Sequence, residues 1–177
     1  MNRRGVEGYF EVLSKPIQVL ILLGSQSDAP TMQAAVDVLK ELGVSCEMTV
    51  ASAHRSPARV QRLIQEAPSR GVRVFIVGAG AAAHLAGVVA AHVTQPVIGV
   101  PIDSSALKGL DALLSTVQMP PGVPVATVSI GKAGATNAGV LAAQILALSD
   151  AAVAERLLRY KKTLAEKVEK AARSMDS

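Results

Sequence analysis

Tryptophan is absent from the chain, and phenylalanine and tyrosine occur only twice each. A core without large rings has to be filled by Ala, Val, Leu and Ile in closely packed layers. The one cysteine, Cys46, excludes an internal disulfide and fits a reducing compartment. Charged residues make up only 18% of the sequence against 50% hydrophobic ones. That balance leaves a single domain of 177 residues with more apolar surface than it can hide, which points to self-association. Long uninterrupted apolar runs are also missing. The best stretch, residues 74–102, is broken by glycines, two histidines and Pro96, so no membrane span is expected. The N-terminus mixes charges of both signs without a continuous apolar core, unlike a signal peptide. A soluble, cytoplasmic protein is the expectation.

A one-sided charge is lacking as well. The net charge is +4, yet residues 19–150 carry eight Lys/Arg against eight Asp/Glu. The excess sits in the tails, with seven basic and four acidic residues beyond position 150. Nucleic-acid binding needs a basic cluster on the body, usually with aromatic stacking groups, and neither is present. No H-E-x-x-H or paired C-x-x-C spacing marks a metal site, and no Walker loop marks ATP binding. Ser25 and Ser27 do not stand in a nucleophile elbow.

What the chain does have is an alternation of short apolar runs with helical stretches. Val-Leu-Ile-Leu-Leu at 19–23 reads as a strand buried on both faces, ended by Gly24. Ser25, Ser27 and Asp28 follow, and Pro30 opens a helix with Met32, Ala35, Val36 and Leu39 on one face, stopped at Gly43. Such a turn offers a helix N-terminus to an anion, while capping by Ser27 or Asp28 is its plainer use. Alternation from Val44 to Val50 suggests a half-exposed strand near a sheet edge, running into Ser52-Ala-His54-Arg55-Ser56-Pro57. A second helix starts at Pro57, with Val60, Leu63, Ile64 and Ala67 facing inward.

A third strand at 72–77 leads into Gly78-Ala-Gly80-Ala-Ala-Ala-His84-Leu85 and an Ala/Val-rich helix reaching about residue 93. Residues 96–102 form a fourth strand before Asp103-Ser104-Ser105, and a short helix covers 110–117. The stretch 118–124 is too proline-dense for a helix. A fifth strand is expected at 125–130, after which residues 131–137 lead into a helix ending at 148. Beyond it, Val153, Leu157, Tyr160, Leu164 and Val168 recur at steps of three and four. That last helix would be ~30 Å long, either solvated or packed on another subunit.

This order predicts an α/β fold: three layers, with a flavodoxin-like five-stranded parallel sheet of order 2-1-3-4-5 and a long C-terminal helix. The expected organisation is a flexible arm over 1–16, a catalytic α/β domain over 17–150, and a C-terminal helix and tail over 151–177. Ligands in such sheets bind at the carboxyl ends of the strands, where the winding reverses. Here that point lies between strands one and three, and the loops at 24–28, 52–57 and 78–87 converge on it.

Among the residues in these loops, His54 can give and take a proton near neutrality, and the Arg55 guanidinium suits a phosphate through two parallel bonds. Their ordinary alternatives are a structural histidine and a surface ion pair. Gly78-Ala-Gly80-Ala-Ala-Ala also matches G-x-G-x-x-A, with Asp103 roughly twenty residues on, so a dinucleotide-binding redox module is an alternative. Against it, the pattern follows the third strand, and no second catalytic domain is expected. The plainer use of these small residues is to let backbone N–H groups approach a small oxyanion or carboxylate. His84 is either ligand-facing or a helix-start residue, and His92 reads as an ordinary helical one.

Five segments together resemble one family: Gly24-Ser-Gln-Ser-Asp28, Ser52-Ala-His-Arg55, Gly78-Ala-Gly-Ala-Ala-Ala-His-Leu85, Gln118-Met-Pro120 and Gly131-Lys-Ala-Gly-Ala135. They are similar to N5-carboxyaminoimidazole ribonucleotide mutase of de novo purine biosynthesis, over about residues 18–150. The resemblance implies a homo-octamer that moves a carboxylate from N5 to C4 of an imidazole ribonucleotide without ATP, metal or organic cofactor. It implies phosphate binding by Ser25 and Arg55 with help from Ser52, ribose binding by Asp28, and acid/base catalysis by His54. Gly80, Ala82 and His84, with Leu85 beside them, fall where the family holds the migrating carboxylate, and the 118–120 loop reaches a neighbour's site. Ala81 stands where Gly is expected, Ala86 where Pro is, and Ala29 where an aromatic is common. The related alternative is a carboxylase that uses free carbon dioxide; Arg55, rather than Lys, after the histidine favours the mutase.

Overall fold

The computed structural model describes residues 16–175. Apart from Pro16, the arm expected over 1–16 lies outside the described residues. Strands and helices alternate along the chain: β1 Val19–Leu23, α1 Ala29–Glu41, β2 Cys46–Val50, α2 Pro57–Glu66, β3 Val74–Gly80, α3 Leu85–Ala90, β4 Val97–Ile102, α4 Leu110–Val117, β5 Ala126–Thr127, α5 Gly131–Ala147 and α6 Ala151–Met175. The five strands are parallel in the order β2-β1-β3-β4-β5, as the sequence predicts.

Successive side chains on a strand point to opposite faces, so each apolar run feeds two cores. Val19, Ile21 and Leu23 of β1 pack with Val74 and Ile76 of β3 against α1, α5 and the start of α6. Leu20 and Leu22 pack with Phe75 and Val77 against α2 and α3. Both layers are filled almost entirely by aliphatic side chains, with Phe75 the one buried aromatic ring among the described residues.

Small residues let the helices approach closely. A Cβ on Gly139 of α5 would lie 2.3 Å from Val38 Cγ1 and 3.0 Å from the Ala35 carbonyl oxygen of α1. The chain leaves α1 through Gly43 at φ +65°, a left-handed turn where a Cβ is strained. Arg156 of α6 lies over that glycine and donates from Nε to the Leu42 carbonyl at 2.6 Å. With Val153 and Leu157 buried, this docks the first part of α6, while every described residue from 161 onward is exposed.

Four local expectations need correction. β3 does not end at 77: pairing of Gly78, Ala79 and Gly80 with Val100, Pro101 and Ile102 carries it through the glycine-rich motif. α3 stops at Ala90, short of 93, and His92 lies past its end, bonded by Nδ1 to the Val88 carbonyl. β5 spans two residues, not the six expected over 125–130, because β4 stops offering donors. The Gly99 carbonyl faces β5 and accepts from Val128 N; Pro101, two residues on, faces the same way and has no N–H. Finally, residues 131–137 do not lead into a helix but form its first two turns. Gly134 permits this, since a Cβ there would fall 1.6 Å from the Ser129 carbonyl oxygen.

Candidate active site

A cavity of about 300 Å³ opens at the carboxyl ends of the strands, walled by the loops after β1, β2, β3 and β4. The β1 loop contributes Gly24, Ser25, Ser27 and Asp28, and the β2 loop Ser52, Ala53, His54 and Arg55. From β3 and its loop come Ala79, Gly80, Ala83, His84 and Leu85, and from the β4 loop Ser104. Of the candidates drawn from sequence, Ser25, Asp28, Ser52, His54, Arg55, Gly80, His84 and Leu85 all line it. Ala82 does not; its carbonyl is turned to the Ser115 hydroxyl of α4.

The β1 loop is a 3₁₀ turn, Gln26–Asp28, closed by a reciprocal cap. Ser25 Oγ accepts from Ser27 N, and Asp28 Oδ2 accepts from Ser25 N at 3.0 Å. Asp28 thus serves this turn, and makes no side-chain cap to α1. It is only 4% exposed. Burial pushes its pKa up, against the opposing pull of the Ser25 amide, the Ser27 hydroxyl and the Arg55 charge.

Arg55 bridges two loops. Its guanidinium donates to the Gly24 carbonyl at 3.0 Å and to Ser52 Oγ at 3.4 Å, and its own amide donates to the same hydroxyl. The remaining guanidinium N–H groups stand at the cavity as anion donors. No other Lys or Arg is among the described lining residues.

The residue before Arg55 enters a histidine pair that joins the β2 and β3 loops. His54 Nε2 lies 2.8 Å from His84 Nδ1, with the rings edge to face. One facing nitrogen must carry a hydrogen and the other must not, so the two rings share a proton position. The sequence treats these residues separately, thirty positions apart; the sheet order brings them together.

The turn that presents His84 is strained. Ala81 and Ala83 have φ of +52° and +46°, where a Cβ is unfavourable by about 1–2 kcal/mol. Glycine would fit Ala81 better, which accounts physically for the glycine expected there. Ala86 is the second residue of α3, a place where proline costs no helical bond. Ala29 begins α1, half-buried. Ser104 is the polar lining residue that sequence reasoning passed over. The strand-end rule applied to β1, β2 and β3 would have found it if carried to β4. Among the described residues no three His, Cys, Asp or Glu side chains cluster as a metal-holding group, and no helix is long and apolar enough to cross a membrane.

Fold and cavity define a small-molecule enzyme of the three-layer α/β class. The family model for AIR carboxylase matches residues 18–167, and the chain belongs to that family. Its relatives include the N5-carboxyaminoimidazole ribonucleotide mutase of Bacillus subtilis (strain 168), 58% identical over 77% of this chain and 85% of the relative. The mutase of Escherichia coli (strain K12) is 47% identical over 88% of this chain and 92% of its own length. Among solved structures, Treponema denticola PurE has a TM-score of 0.81 at 28% identity, covering 90% of this chain and 99% of that one. A substituted form of PurE2 from the same organism has a TM-score of 0.83 at 27% identity, covering 90% and 98%.

Proposed function

We propose that the chain converts N5-carboxyaminoimidazole ribonucleotide to 4-carboxy-5-aminoimidazole ribonucleotide, a step of de novo purine biosynthesis in the cytoplasm. The observation that supports it best is the His54–His84 pair, facing a cavity whose other polar groups suit a phosphorylated ribose. In this reading Arg55, with Ser25 and Ser52, takes the phosphate through charge-assisted bonds, and Asp28 accepts from the ribose hydroxyls. In the same reading Gly80, His84 and Leu85 surround the migrating carboxylate, while Ala82, turned to Ser115 outside the cavity, drops out of that set.

His54 first donates a proton to the carbamate nitrogen. The C–N bond then breaks, its electron pair staying on nitrogen, and carbon dioxide is released into the cavity. C4 attacks that carbon dioxide, and the C4 proton passes back to His54 as the ring regains aromaticity. The proton is returned, so the sequence consumes no acid, oxidant or cofactor. A space of about 300 Å³ keeps the carbon dioxide beside C4, and this proximity favours recapture over escape. The His84 contact occupies His54 Nε2 and leaves Nδ1 for both transfers.

Assembly as a homo-octamer belongs to the same reading. Its support in the chain is a stripe of exposed leucines and valine along α4, and the 118–120 loop would enter a neighbour's site. The test is one turnover of the carbamate in medium containing labelled bicarbonate. Rapid conversion with little label in the product is expected. Full equilibration of label, or failure to use the carbamate, would overturn the mutase and leave the carboxylase.

A further inference from the structure

We infer that the Ser104 hydroxyl is the hydrogen-bond donor that holds the substrate's carboxylate at the β4 end of the cavity, an assignment that rests on the reading of the cavity given above. Ser104 lines the cavity, and its hydroxyl has no hydrogen-bond partner among the described residues. Other polar groups of the wall already accept from it, Ser25 from Ser27, Ser52 from Arg55 and Asp28 from the Ser25 amide, whereas Ser104 takes no such part.

Gly80 shows that the place of this hydroxyl is built into the wall. Its backbone is not in the left-handed region, so conformational freedom does not explain a glycine there. Space does: a Cβ on Gly80 would lie 1.8 Å from Ser104 Oγ and 2.8 Å from Ser104 Cβ. The missing side chain on β3 is what admits the hydroxyl from the β4 loop.

Strand order then decides what the hydroxyl meets. Arg55 follows β2, Asp28 follows β1, Gly80 ends β3 and Ser104 follows β4, so the four stand in the order of the strands. Neighbouring strands are about 4.8 Å apart, and the Arg55 guanidinium reaches over to the β1 loop at the Gly24 carbonyl, so about 10 Å separates it from the β4 end. A ribonucleotide with its phosphate at Arg55 and its ribose at Asp28 directs its ring and carboxylate toward Gly80 and Ser104. A neutral donor suits this carboxylate better than a cation. A lysine or arginine here would stabilise the bound carboxylate more than the uncharged carbon dioxide that forms from it, and so raise the barrier. A hydroxyl can bond to an oxygen of either.

Calorimetric titration with two ribonucleotides tests this: the 4-carboxy-5-aminoimidazole ribonucleotide and its decarboxylated counterpart, each against wild type, Ser104→Ala and Ser105→Ala. Ser104→Ala is expected to weaken the carboxylated ligand about tenfold, as for one bond to a charged group, and to leave the other within about twofold. Ser105→Ala, whose hydroxyl accepts from Leu107 N, is expected to change neither affinity. The ratio of the two affinities is read on folded protein, so a lowered thermal midpoint does not disturb it. Equal loss for both ligands, or loss for neither, overturns the Ser104 assignment while the cavity reading stands. Wild type that binds neither ligand overturns both.

Discussion

At the scale of single residues, Asp28 closes the β1 turn and lines the cavity, and its buried carboxyl makes that position measurable. Burial raises its folded-state pKa above the unfolded value of 3.8. Between these two values the folded chain holds more protons than the unfolded one, so stability falls as pH rises through that window. Above the folded value the loss is constant. Asp28→Asn keeps an acceptor for the Ser25 amide and removes the titration. Thermal melts from about pH 4 upward should therefore show a downward component in wild type that the variant lacks. At neutral pH the variant should be at least as stable as wild type. A midpoint several degrees lower for the variant at neutral pH would show instead that the charged carboxylate stabilises the fold.

Between elements, α1 and α5 approach closely where Ala35 and Val38 meet Gly139. Alanine is a better helix former than glycine by about 1 kcal/mol, so Gly139→Ala would stabilise an isolated helix. In the fold the added methyl meets a backbone carbonyl and a valine whose helical rotamer is fixed, and overpacking of this kind costs about 1–3 kcal/mol. The packing cost outweighs the propensity, and a melting midpoint lower by a few degrees is expected. Trimming the obstacle should recover part of it: Gly139→Ala combined with Val38→Ala should lose less than the two single changes summed. Simple additivity would mean that the helices separate freely, and that the contact is not the constraint.

Over the whole molecule, apolar surface is left over. Leu107, Leu110, Leu114 and Val117 are 61, 51, 50 and 48% exposed, at steps of three and four along one face of α4 and the turn before it. A stripe of this kind marks an interaction surface, here assigned to the proposed octamer. Leu110→Glu combined with Leu114→Glu should reduce the assembled mass seen by light scattering at micromolar concentration. The change adds charge to an exposed face, so secondary structure by circular dichroism should be retained. An unchanged mass would remove α4 from the interface.

Sheet and strand order were legible in sequence because short apolar runs, glycine stops and helical periodicity are local signals that each segment carries alone. Val19–Leu23 needed no neighbour to be read as a doubly buried strand, and the strand-end rule was enough to gather Ser25, Ser52, His54, Arg55 and Gly80 into one crevice. Tertiary structure decided what depends on distance through space. The His54–His84 bond spans loops from two strands that are separated by β1. In sequence Gly80 read as a small residue that lets backbone N–H groups approach a carboxylate, but in the fold its lack of a side chain answers to Ser104, a residue of another loop. β5 spans two residues beside a strand whose next position facing it, Pro101, has no N–H to donate, a fact of the neighbouring strand that 125–130 does not contain. In each case the partner lies far along the chain and within a few ångströms in the fold. Periodicity reports which face a residue occupies; which atoms meet there follows only once the strands have been laid side by side.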